Sequence, residues 1–277
     1  MQRCIRLWLF LLIFVGPATA YGYNTDKDRQ SDFSAFTLRR NQARIGLFQI
    51  EYGIFKEWTV GTYTLPWFLI PVTHQFNGSL YSKSRVFYHK GWALSFRSGV
   101  FYSRVRDANF GPLKDGDFDA TVLPLTLTVS KVFNERWTLS FESSWIQMIL
   151  NAGATTVDDA NALGAGAQSN LQFALNGEYR VSKVLALNLV TRYLPYVTTA
   201  LITSSAQLDS FTQAELSVNA NLDDVRNAFL IQPGFTLSWK YFNFQLGLGY
   251  GNFFVPGLRI AAPARGFVPD LALYFRF

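Results

Sequence analysis

The final nine residues, Pro269-Asp270-Leu271-Ala272-Leu273-Tyr274-Phe275-Arg276-Phe277, carry large apolar side chains at every second position. Successive side chains of a strand point to opposite faces. Leu271, Leu273, Phe275 and Phe277 therefore share one face, and Asp270, Ala272, Tyr274 and Arg276 share the other. Pro269 breaks the series at the next alternate position, so the strand is expected to begin after it. The same two-faced pattern recurs upstream. Trp137, Leu139, Phe141 and Trp145 oppose Thr138, Ser140, Glu142 and Ser144. Leu171, Phe173, Leu175 and Tyr179 oppose Gln172, Asn176, Glu178 and Arg180. Leu185, Leu187, Leu189 and Tyr193 oppose Asn188 and Arg192, and Phe229, Ile231, Phe235, Leu237 and Trp239 oppose Gln232, Thr236, Ser238 and Lys240. Phe242, Phe244, Leu246, Leu248 and Tyr250 oppose Gln245 and a glycine series. A period of two sustained over so many segments demands β structure. No run of eighteen apolar residues exists outside the first twenty positions, which excludes helical membrane spans there.

Aromatic residues make up 17% of the chain and charged residues 16%, against a usual quarter for the latter. So much apolar surface has to lie in a core or against lipid. Only helices and closed barrels satisfy every backbone group in hydrocarbon, which leaves a membrane barrel or a soluble sandwich. Trp and Tyr placed beside turns, together with the terminal aromatic, favour the barrel. A chain that ends this way resembles the Gram-negative outer-membrane β-barrel proteins. The resemblance covers nearly all of the chain after residue 20 and identifies a class, with no subfamily. It implies a single transmembrane antiparallel up-and-down barrel with short periplasmic turns and long extracellular loops. It also implies residence in the outer membrane among lipid and lipopolysaccharide. In such proteins the residues matching Leu271, Leu273, Phe275 and Phe277 form the signal read by the barrel assembly machinery during biogenesis.

The amino-terminal end supplies an address. Arg3 and Arg6 precede the apolar run Leu7–Val15, Gly16-Pro17 breaks it, and Ala18-Thr19-Ala20 is a small-residue cleavage site. Residues 1–20 are expected to be a secretory signal peptide, 21–32 a periplasmic tail and 33–277 the barrel. The single cysteine, Cys4, lies inside the signal. The remainder therefore forms no disulfide and offers no thiolate metal ligand or nucleophile. Without Arg3 and Arg6 the 25 basic side chains become 23, against 19 acidic ones, a net charge of +4. No basic helix or basic-aromatic motif points to nucleic acid, and no cofactor motif is present.

Twelve strands are expected: 33–40, 43–54, 58–72, 80–88, 92–105, 120–132, 137–150, 169–180, 184–199, 227–240, 242–254 and 268–277. An even number suits such barrels. Ten remains the alternative, if 33–38 is a tail and one further pair dissolves. Short turns fall near 55–57, 89–91, 133–136, 181–183 and 241, and long polar segments near 106–119, 151–168, 200–226 and 255–267. Residues 214–220 alternate within the third of these long segments.

Candidate chemistry is sparse. His74 and His89 are the only histidines and fall at opposite ends of the wall. His74 with Asn77 and Ser79 could imitate part of a hydrolase, but Asn77-Gly78-Ser79 reads first as a turn, so no enzymatic activity is expected. Asp115, Asp117 and Asp119 alternate as weak calcium candidates, in a pattern that lacks the glycine and glutamate of an EF-hand. They are better read as a solvated acidic loop. The informative set faces inward: Lys83, Arg85, Arg97, Arg180, Arg192, Lys240 and Arg276, with Glu51, Glu142, Glu178 and Asp270. An open channel would use the basic excess to favour small anionic solutes, whereas a closed barrel would pair these charges to fill its interior. Small inward residues lean toward open space. A passive pore is therefore the leading expectation, a closed structural or adhesin-like barrel acting through its loops the second, and an outer-membrane enzyme the third.

Overall fold

A computed structural model of the chain describes residues 33–64, 66–67, 70, 77–110, 113–156, 161–207, 213–214, 227–239, 241–254 and 261–276; the side chains of 107–110, 113–116, 152–156, 161–165, 199–207, 213–214 and 262–264 are excepted. Within them lie β1 (Ala43–Gly46), β2 (Gln49–Phe55), β3 (Trp58–Tyr63), β4 (Gly78–His89), β5 (Trp92–Phe110), β6 (Leu113–Val132) and β7 (Trp137–Thr156). Then follow β8 (Asn161–Arg180), β9 (Leu185–Gln207), the two-residue β10 (Gln213–Ala214), β11 (Ala228–Ser238), β12 (Phe242–Phe254) and β13 (Ala261–Arg276).

Every strand but β10 belongs to one antiparallel ring. Each neighbour in sequence pairs with the next, β9 pairs with both β8 and β11, and β13 closes on β1 through Arg276↔Arg44 and Phe275↔Ile45. The fold is a closed twelve-stranded up-and-down barrel.

The period-two pattern sets the two faces of the wall. Along β8 the odd positions 171–179 face outward and the even positions Gln172, Ala174, Asn176, Glu178 and Arg180 are buried inside. Outward Leu80, Phe96, Leu127, Leu139, Phe141, Leu187, Ile231, Leu248 and Leu271 form an apolar belt, which in water would be an unusually large exposed patch. Aromatics gather along the rim that carries the tight turns: Trp137 and Tyr179 approach to 4.6 Å between ring centroids, Trp239 and Phe242 to 5.5 Å, and Phe242 and Phe275 to 5.3 Å. That rim bears both ends of the barrel and the turns at 56–57, 90–91, 133–136 and 181–184. At 90–91 the φ angles of Lys90 (46°) and Gly91 (81°) are both positive, as a two-residue type I′ hairpin requires.

The structure departs from the expected strands in several places. Residues 43–54 are not one strand but a hairpin, β1–β2, turning at Leu47-Phe48. Residues 33–40 form no strand. The two differences cancel, so the ring still has twelve strands. Third, much of 106–119 and 151–168 is strand rather than loop, because β5 to β9 run for 19 to 23 residues. Twenty residues at about 3.3 Å each, tilted near 40°, rise about 50 Å, twice the roughly 25 Å apolar band of such barrels. One side of the wall therefore stands well above the belt. Similarly, β13 starts at Ala261 and continues through Pro269, whereas β3, expected over 58–72, ends at Tyr63.

Candidate functional site

Residues 33–38 run inside the barrel as a strap held to the inner wall. Asn176 Nδ2 donates to Phe33 O (3.3 Å), Lys83 Nζ to Ser34 O (2.6 Å) and Thr37 Oγ1 to Lys56 O (2.7 Å). The Ala35 N–H donates to Ser130 Oγ (2.7 Å) and the Leu38 N–H to Thr59 Oγ1 (2.8 Å). An extended segment with no strand partner must bond its backbone to wall side chains, and inward Ser, Thr, Lys and Asn supply them. Small inward residues make the room. Ala35 and Phe36 pack against Ala93 and Val132. Gly53 faces the strap's exit, where a Cβ would lie 2.0 Å from Arg39 O. These small positions, expected to leave open space, are filled by the chain's own strap.

Above the strap sits a charged and aromatic cluster. Arg44 Nη1 donates to Glu51 Oε2 at 3.2 Å, Arg97 approaches Glu51 Oε1 at 3.9 Å, and Tyr81 OH donates to Glu51 Oε1 at 2.7 Å. Arg44 lies over the Tyr274 ring at 3.9 Å and Arg97 over Tyr81 at 4.8 Å, while Tyr63 stacks on Tyr81 at 4.7 Å. A Cβ at Gly61 would meet the Tyr81 ring at 2.6 Å, so glycine is what admits that ring. Two buried guanidiniums on one carboxylate are held by geometry and extra hydrogen bonds rather than by net Coulombic gain.

Phe33 stands at the inner end of the strap. Its ring lies under the Arg192 guanidinium at 5.1 Å, and it lines both a cavity of about 130 Å³ and a second of about 30 Å³. The smaller holds about one water. Its walls include Thr138 and Asn176, whose Oγ1 and Oδ1 lack protein partners, as such a water would explain. Twelve strands about 4.8 Å apart, tilted near 40°, give a wall radius of about 12 Å. Inward side chains reduce that to roughly 10 Å across, about the thickness of one packed layer of β structure. One strap takes up much of that width.

The expected inward set is largely in place. Lys83, Arg85, Arg97, Arg180, Arg192, Arg276, Glu51, Glu142 and Glu178 are all buried inside, and Asp270 is half-buried, accepting from Gln245 Nε2 at 3.1 Å. They do not form one array. Arg85 reaches the rim turn at Glu57 (3.8 Å), Arg180 faces Glu178 (3.9 Å), and Ser144 Oγ donates to Glu142 (3.4 Å). Lys240 lies outside the described residues. Arg44, Tyr63, Tyr81 and the strap were not among the candidates. Arg44 was hidden by parity: in a single strand 43–54 it would oppose Glu51, whereas the hairpin makes the two direct cross-strand partners.

Leu271 and Phe275 face outward and Leu273 is half-exposed beside them, while Tyr274 and Arg276 are buried; Phe277 and His74 lie outside the described residues. His89 stands at the turn-bearing rim. Gly78-Ser79 is not a turn but the start of β4, with Asn77 just ahead of it. Asn77 Oδ1 accepts from Ser103 Oγ (2.6 Å) and the Arg104 N–H (2.9 Å), and Ser79 Oγ accepts the Tyr63 N–H (2.8 Å). Asp119 pairs with Arg104 at 3.1 Å and accepts from Tyr102 OH, Asp117 is exposed, and the Asp115 side chain is not described.

Ring closure, the outward apolar belt and the polar, charged interior define a barrel of the outer-membrane type. No family model matches the chain and no curated protein matches it. Among solved structures it is similar to the translocator domain of autotransporter NalP from Neisseria meningitidis, with 9% identity and a TM-score of 0.46 over 85% of this chain and 83% of that one.

Proposed function

We propose that the protein is an outer-membrane barrel closed at rest by its own strap, and that it conducts small hydrophilic solutes, anions preferentially, when the strap withdraws. The turn-bearing rim is then periplasmic. The observation that carries this reading is Phe33 between the two interior cavities, with the strap bonded to β3, β4, β6 and β8 behind it. Arg44, Arg97, Arg192 and Lys83 surround the path that its withdrawal would open, and pore-lining charge sets ion preference.

The test is conductance of the refolded chain from Tyr21 in a planar bilayer under a salt gradient. The intact protein should be mostly silent. A version lacking residues 21–38 should give discrete steps with an anion-favouring reversal potential, weakened by Arg192→Glu. If the strapless barrel is folded yet silent, the pore reading falls. The standing alternative is then a closed barrel acting through its tall outer wall. The 19- to 23-residue strands β5 to β9 favour that second reading. Its test is loss of cell-surface binding when 200–226 is shortened.

A further inference from the structure

We infer that the outer face of the turn-bearing rim binds the headgroup of an anionic glycerophospholipid, its phosphate on Lys131 and Lys90 and its acyl chains along the apolar wall above them. This site rests on the barrel's place in a membrane and stands whether or not the lumen conducts.

Charge at this rim is one-sided. The tight turns carry Lys56, Lys90, Arg136 and Lys183, Lys131 stands just before the third of them, and Arg39 and Arg40 follow the strap. Among the described residues there, Glu57 and Glu135 are the acidic ones, and Glu57 pairs with the buried Arg85 at 3.8 Å. The far ends of β5 and β6, residues 104–119, instead carry more aspartates than cations. An excess of fixed cations draws anionic headgroups that lie within about a Debye length, roughly 8–10 Å at physiological salt.

Lys131 turns that general excess into a site. Ser130 is buried inside the wall, where its Oγ meets the strap, so Lys131 falls on the outer face. Its ladder partners are Trp92 on β5 and Leu139 on β7, both exposed. Above it the outward positions of β6 are Val129, Leu127 and Leu125, so Lys131 is the first charge met on leaving the apolar belt along that strand. Its ammonium is held at the wall: Nζ lies over the Trp92 ring at 4.8 Å and donates to Lys90 O at 2.9 Å. A lysine that only lifts its charge out of hydrocarbon extends toward water, whereas this one lies against its neighbours. An ammonium has three N–H donors. The Lys90 carbonyl takes one, which leaves two for a phosphate beside the exposed Lys90 chain. A free anion would gain nothing from the other surroundings. Trp92, Leu139 and Val129 are apolar, and Leu127 and Phe141 continue that wall upward, as the acyl chains of a phospholipid require.

The test uses the chain from Tyr21 refolded in phosphatidylcholine vesicles, with insertion checked separately by heat-modifiable migration. The probe is a trace of phosphatidylglycerol bearing a diazirine in its acyl chain beside the glycerol. After irradiation, label should concentrate on 90–94, 127–133 and 139–141, and unlabelled phosphatidylglycerol should compete better than phosphatidylcholine. Lys131→Gln should lower this labelling about fivefold, the weight of one cation at an anionic surface, while Lys131→Arg should retain most of it. Salt at about 1 M, which shortens the Debye length to about 3 Å, should weaken the preference. Equal label from a phosphatidylcholine probe, or label spread evenly over Leu187, Ile231 and Leu248, would mean ordinary lipid contact and overturn the proposal. So would unchanged labelling in Lys131→Gln. Competition by inorganic phosphate, or stronger competition by lipid A, would overturn the choice of a glycerophospholipid. A chain that never inserts would sink the membrane reading itself, whereas an inserted chain without preference sinks this site alone.

Discussion

The strap can be loosened without touching it. The buried N–H groups of Ala35 and Leu38 depend on two wall hydroxyls, Ser130 Oγ and Thr59 Oγ1. Replacing these residues by Ala and Val removes both acceptors. A buried donor left without a partner costs about 1–3 kcal/mol, so the pair costs about 2–6 kcal/mol if the two sites act independently. At about 1.4 kcal/mol per decade, the withdrawn state should gain between roughly 30-fold and 10⁴-fold in population. A thiol can read this directly, because the sequence has no cysteine after Cys4. Ser34→Cys places one on the buried strap. While opening and closing outpace modification, its rate of reaction with a bulky maleimide tracks the open population. Ser130→Ala also removes the bond to Ser140 Oγ (2.7 Å), so Ser140→Ala alone is the control that spares the strap. The double variant should label at least tenfold faster than this control. Equal rates in all backgrounds would refute the anchoring argument, and free-thiol reactivity in the parent would refute the strap's place inside.

Glu51→Gln should destabilise the barrel by about 3–5 kcal/mol, because it strips two buried guanidiniums of their shared carboxylate. Urea unfolding in vesicles, followed by tryptophan fluorescence, measures this, and an unshifted midpoint would show that the arginines are effectively solvated. Gly53→Val should cost about 1–3 kcal/mol or more through collision with the strap's exit at Arg39. Gly177→Ala, where an added Cβ meets nothing within 4 Å, should stay within about 0.5 kcal/mol. Thermal unfolding on gels separates the two glycines. Deleting Phe277 should lower assembly in cells while leaving refolding in vitro unchanged. An equal loss in both would make the residue a matter of stability and not of recognition.

What was legible in the sequence is what repeats locally. Alternation along Trp137–Trp145 and Leu171–Tyr179 shows which face of each strand is inside, and the ladder between them pairs Trp137 with Tyr179 and Phe141 with Leu175. The strap has no such local signature. Its bonds join residues 95, 49 and 21 positions apart, and its wall contacts are small residues that look like empty space until their occupant is known. The β1–β2 hairpin was equally hidden. Gly46-Leu47-Phe48-Gln49 carries none of the Asn-Gly or Asp-Gly chemistry that marks a tight hairpin turn, and its apolar residues continue the outward pattern.

Proline shows how one residue can be read correctly for its chemistry and wrongly for its consequence. Pro269 was expected to lie just ahead of the last strand because it cannot donate to a ladder. That expectation does not hold in this barrel, where β6, β11 and β13 each run through a proline. Pro124 and Pro233 sit in strands paired on both sides: each keeps one ladder intact, through Pro124↔Ile146 and Pro233↔Leu189, and leaves a gap in the other, between Ser98↔Leu125 and Phe101↔Val122 and between Ile231↔Tyr250 and Gly234↔Gly247, with the register unchanged. Around Pro269 the β12–β13 ladder runs unbroken through Leu248↔Pro269. A proline that leaves one ladder intact has turned its missing donor toward the other edge. Such a proline is tolerated inside a strand wherever the other edge can spare one bond, as between β5 and β6 and between β11 and β12.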